Sequence, residues 1–86
     1  MDLEQERIDM LTAAAEGRER EVMHYQINID NYARAIAEIE AEHAGSDALS
    51  DFANQLRDLL ASSIIEQAKE RIMLKVLRDQ LEDRPA

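Results

Sequence analysis

The sequence predicts an all-α fold: one long antiparallel helical hairpin, dimerised into a four-helix bundle or coiled coil. Three observations predict it. Helix formers dominate, and the 86 residues include only 2 glycines and 1 proline, Pro85, next to the last residue. Apolar residues recur at alternating three- and four-residue spacings through the first half. A Gly45-Ser46 pair then interrupts the pattern near the middle of the chain.

The first helix is expected over about residues 3–44. With Ile8 as heptad position a, the a positions are Ile8, Ala15, Val22, Ile29, Ile36 and His43, and the d positions are Leu11, Arg18, Tyr25, Tyr32 and Ile39. This seam lies along one side of a helix. Arg18 and His43 break it; a polar His43 costs little at a helix end. Gly17 costs about 1 kcal/mol relative to Ala inside a helix. The register survives across it, so the helix is read as continuous. Tyr25 and Tyr32 fall on the seam as core rings whose hydroxyls reach the bundle edge.

Gly45 suits a left-handed position after the first helix, and Ser46 can cap the second, with Asp47 in its first turn. The second helix is expected over about 47–82, ending before Arg84-Pro85-Ala86. A turn at 45–46 makes the helices antiparallel neighbours within one domain, residues 1–86. Folding there sets Ile39 near Phe52, Ile36 near Leu56, Tyr32 near Leu59 and Leu60, Tyr25 near Ile65 and Val22 near Ala68. It sets Ala15 near Val76 and Leu11 near Leu81, and Ile29 opposite Ser62 and Ser63.

The second helix is apolar over a wider arc than one partner covers. One stripe is Leu49, Phe52, Leu56, Leu60 and Ile64; another is Ile65, Ile72, Met73, Val76 and Leu77. Apolar surface left over on a hairpin marks an interface. Self-association as a homodimer is therefore expected through Leu56, Leu60, Ile64, Ile65, Ile72, Met73, Val76 and Leu77.

Net charge is −9, which disfavours direct binding to nucleic acid or to anionic lipid and permits the opposite kind of partner, a basic protein surface. No apolar run is long enough to span a bilayer, and the acidic start Met1-Asp2-Leu3-Glu4 does not read as a signal peptide, so a cytoplasmic location is expected. From Ala35 to Leu56 there is no Lys or Arg, while Glu38, Glu40, Glu42, Asp47 and Asp51 gather at the hairpin tip. Acids near the start of the second helix suit its dipole; those near the end of the first do not, and cost a few tenths of a kcal/mol or more each. The tip is therefore the candidate contact for a partner. At the other end, Arg18, Arg20, Arg71, Lys75 and Arg78 mingle with Glu16, Glu19, Glu21, Glu70 and Asp79 as a cross-helix ionic network.

Catalysis finds no support in the sequence. There is no cysteine, no nucleophile elbow and no phosphate-binding glycine loop. Glu21-Val22-Met23-His24 and Glu40-Ala41-Glu42-His43 match the Glu-x-x-His spacing of di-metal bundles. They stand about 28 Å apart on one helix and cannot share a site within a chain. No catalytic, cofactor or metal residue is assigned.

The stretch Glu19-Arg20-Glu21-Val22-Met23-His24-Tyr25-Gln26-Ile27-Asn28-Ile29-Asp30-Asn31-Tyr32 resembles short helical proteins encoded by lambda-like phages and prophages, and so does Leu59-Leu60-Ala61-Ser62-Ser63-Ile64-Ile65-Glu66-Gln67-Ala68. The resemblance implies a phage accessory product acting in the host cytoplasm, and carries no functional residues with it. The expected function is a non-enzymatic protein–protein interaction module that modulates a host factor. The alternatives are an acidic DNA mimic that occupies a nucleic-acid-binding protein, a metal-binding bundle using Glu21 and His24 or Glu40 and His43, and a structural or assembly protein.

Overall fold

The computed structural model describes residues 2–83. Two helices account for nearly all of them: α1 (Leu3–Glu42) and α2 (Asp47–Glu82). The Arg84-Pro85-Ala86 stop lies outside the described residues. The molecule is a rod of 66 × 16 × 15 Å with a radius of gyration of 19.3 Å. A compact domain of this length has a radius of about 12 Å.

Each helix is capped where its sequence allows. The Asp2 side chain accepts from the amides of Glu4 and Gln5, and Glu4 and Glu6 stand in the first turn of α1. Ser46 accepts from the Leu49 amide and Asp47 opens α2. No basic residue occupies the last turn of α1. That helix stays continuous through Gly17.

The reversal differs from the two-residue, left-handed turn expected at Gly45. α1 stops at Glu42, the His43 amide caps it by donating a hydrogen bond to the Ile39 carbonyl, and the Ser46 amide closes a turn by donating to the His43 carbonyl. Neither glycine has a positive φ. The tight His43–Ser46 turn closes in ordinary backbone conformations, so Gly45 supplies no special dihedral there.

The α1 seam matches its heptad. Ala15, Ile36 and Ile39 are buried, and Ile8, Leu11, Val22, Tyr25, Ile29 and Tyr32 are part-buried. The α2 seam is a heptad as regular: Leu49, Ala53, Leu56, Leu60, Ser63, Gln67, Glu70, Leu74, Leu77 and Leu81 are all buried or part-buried. This corrects the expected pairing by about one residue. Ala53 rather than Phe52 enters the core with Ile36, Ile39 and Leu56, and Gln67 rather than Ala68 meets Val22. Ile65 and Val76 are exposed. The wide apolar arc of α2 conceals the true seam, because three of its central positions are polar.

Gln67 and Glu70 both find partners on α1. Gln67 is only 8 % exposed, and its amide nitrogen donates to the Val22 carbonyl (3.1 Å) and to Gln26 Oε1 (2.9 Å). Arg18, the break in the α1 heptad, donates to both oxygens of Glu70 at 2.9 and 3.1 Å. Among the described residues no buried side-chain polar atom lacks a partner, as low-dielectric burial requires.

Candidate interaction surfaces

The tip carries the acidic cluster expected there. Glu38, Glu40, Glu42, Asp47 and Asp51 are all exposed. Glu40 is met by Arg57, which also donates to Asn54. Glu38, Glu42, Asp47 and Asp51 form no ion pair among the described residues, so their charge faces solvent. The antiparallel reversal brings the end of α1 and the start of α2 together, which no property of either helix alone would do.

The expected ionic network forms in part. Arg78 pairs with Glu19 at 2.6 Å, and Lys75 with Asp79 at 2.7 Å. Arg20 and Arg71 make no ion pair among the described residues. The hydrogen bond from Lys69 to Glu66, and next the charge of that carboxylate, raise the lysine above its usual value; Asp79 raises Lys75 in the same way. Both ammoniums are fully exposed, so these pairs shape the surface more than they stabilise the fold.

The two Glu-x-x-His pairs remain apart. His24 Nδ1 lies 3.9 Å from Glu21 on an exposed face, and the His24 ring stacks on Tyr25. His43 is exposed at the turn. Among the described residues no three His, Asp or Glu side chains gather in a way that could hold a metal ion. No described helix is long and apolar enough to cross a membrane.

The residues expected to mediate self-association divide between inside and outside. Leu56 is buried within the hairpin, and Leu60 and Leu77 are part-buried there. They belong to the intrachain seam, because each stands at a heptad position facing α1. Ile64, Ile65, Ile72, Met73 and Val76 are exposed, with Ile65 and Ile72 at 57 % and 62 %. Phe52 and Leu59 are exposed as well.

Cross-helix bonds define the two long flanks of the rod. On one flank, Arg57 and Arg78 reach across to Glu40 and Glu19. These arginines belong to the row Ser50, Arg57, Ile64, Arg71 and Arg78, repeating every seven residues along α2. Two shallow grooves open on this flank, one lined by Glu40, Asn54 and Arg57, the other by Arg71, Lys75 and Arg78. On the opposite flank Arg7 donates to Gln80 at 3.3 Å. Gln80 ends the row Phe52, Leu59, Glu66, Met73 and Gln80, facing the α1 row Arg7, Ala14, Glu21, Asn28, Ala35 and Glu42. One flank is thus crossed by ion pairs, and the other exposes three large apolar side chains of α2, Phe52, Leu59 and Met73, beside a mostly polar α1 row. Reading the flanks from sequence needs the α2 register; the seven-residue repeat from Leu49 to Leu81 was the available signal.

In comparisons with protein-family models, curated proteins and solved structures, the chain matches none, so its chemistry must be read from the hairpin itself.

Proposed function

We propose that this protein is a non-enzymatic interaction module: a homodimer of hairpins that presents its acidic tips to a protein with a basic surface. The observation that carries this reading is the apolar surface a two-helix rod leaves uncovered, from Phe52 near the tip to Val76 near the open end. A hairpin has one seam to bury and no second layer, so surplus apolar surface calls for a partner. The tip supports the second half of the reading. Its unpaired acids at the end of α1 oppose the helix dipole and do nothing for local stability. The resemblance to phage-encoded helical proteins fits an accessory product that acts on a host factor in the cytoplasm.

The test is capture of a partner by the tagged protein from nuclease-treated bacterial lysate, repeated with Glu38→Lys, Glu42→Lys and Asp51→Lys combined. A protein retained by the native chain at moderate salt and lost by the charge-reversed one is the expected result. Equal retention by both removes the tip from the function. Retention that disappears with nuclease treatment points to nucleic acid and overturns the reading.

A further inference from the structure

We infer that the second copy packs on one particular flank of the hairpin, the one bearing Phe52, Leu59 and Met73, and not on the outer face bearing Ile65 and Ile72. This rests on the self-association reading and specifies its interface.

The two flanks differ in chemistry. The Arg57 and Arg78 flank is spanned by ion pairs to Glu40 and Glu19. Covering it would strip water from four charges that are already paired, a desolvation that their mutual attraction does not repay without further partners. The Phe52 flank exposes large apolar side chains at heptad positions next to the core. Bundle helices bury such positions in addition to a and d. On the α1 side of that flank Ala14 and Ala35 leave room for side chains of a neighbouring helix, while Arg7, Glu21, Asn28 and Glu42 keep the α1 edge polar, so the contact runs along the α2 row. Glu66 interrupts the row, and Lys69 binds it at 2.9 Å, so a partner would meet a neutralised pair there.

Area supports a second copy on one long face of the rod. The chain exposes 6336 Å², whereas a folded monomer of 9.8 kDa exposes about 5,200 Å². The excess, about 1,100 Å², exceeds the roughly 800 Å² that each partner buries in a standard interface. One face of a rod 66 Å long and 15 Å wide offers about 1,000 Å². A single long face therefore accounts for the surplus, and the side-chain chemistry decides which one. The outer face carries Ile65 and Ile72 one above the other, but Asp51, Asp58 and Asp79 continue that row at the same spacing, so it offers only a short apolar island.

Sedimentation equilibrium separates the outcomes, because it reads mass independently of the elongated shape. The native chain is expected at twice 9.8 kDa. Combined Leu59→Glu and Met73→Glu should halve the mass, while combined Ile65→Glu and Ile72→Glu should leave it unchanged. A monomeric native chain at high concentration defeats the self-association reading itself. A dimer that survives the flank pair but not the outer pair keeps that reading and overturns this inference. Should the flank variant unfold on dissociating, single thiols in this cysteine-free chain decide the matter without added charge. Leu59→Cys should alkylate about tenfold more slowly than Ile72→Cys in the dimer, and equally fast on dilution to monomer. Equal rates at both concentrations, in a native dimer, overturn the inference.

Discussion

Replacing Gly17 by alanine isolates the cost of the one glycine inside α1. Gly17 has no positive φ and sits within a continuous helix from Leu3 to Glu42. A Cβ built there meets only the end of the Arg20 side chain, at 3.8 Å, an ordinary van der Waals distance. Nothing in the packing opposes the substitution, so the full intrinsic difference between Gly and Ala, about 1 kcal/mol, should appear as added stability. For 86 residues the unfolding entropy is about 180 cal/mol/K, so the gain corresponds to roughly 5 °C in Tm. Circular dichroism at 222 nm during heating measures it. Both proteins must be at the same concentration, because association raises Tm by mass action. Gly45→Ala is the comparison: nothing lies within 4 Å of its Cβ and it is outside both helices, so its gain should be smaller. An unchanged or lowered Tm for Gly17→Ala would mean that α1 bends or frays at Gly17 in solution, and the continuous 40-residue helix would be wrong.

Substitutions at Arg18, Glu70 and Gln67 test the polar centre of the seam. Glu70→Leu should destabilise by about 1–2 kcal/mol, because it leaves the half-buried Arg18 guanidinium without its carboxylate, while Arg18→Leu with Glu70→Leu should recover that loss or exceed it; additive losses in chemical denaturation would refute a coupled pair. Gln67→Ala removes two hydrogen bonds and leaves a void, for a loss of about 2–3 kcal/mol, whereas Gln67→Leu refills the space and should fall within about 1 kcal/mol of the native protein. If both variants lose the same amount, the hydrogen bonds rather than the packing hold that position.

Much of the fold is legible in the sequence because it rests on local rules. The three–four spacing from Ile8 to Ile39 specifies α1 and its buried side, Asp47 begins α2 where the Ser46 cap indicates, and α2 ends at Glu82 as expected. The acidic tip is also legible, since a short reversal between two long helices leaves only one way for residues 38 and 51 to meet. The detail of the reversal is not legible there: a glycine after a helix suggests a left-handed residue, but a four-residue turn closed by the Ser46 amide needs none.

Tertiary structure decided which apolar residues of α2 face α1. Leu56 and Ile65 are equally apolar in composition, yet one is buried and the other is 57 % exposed. Burial of a polar side chain is unfavourable alone, so Ser63, Gln67 and Glu70 argue against their own seam when α2 is considered by itself. The cost of Gln67 and Glu70 falls only when α1 supplies the Val22 carbonyl, Gln26 and Arg18. The sequence by itself determined two helices, their reversal and an acidic tip, through propensity and period. The register of α2, and with it the contrast between a flank crossed by ion pairs and one bearing Phe52, Leu59 and Met73, came from the hydrogen bonds that only the partner helix provides.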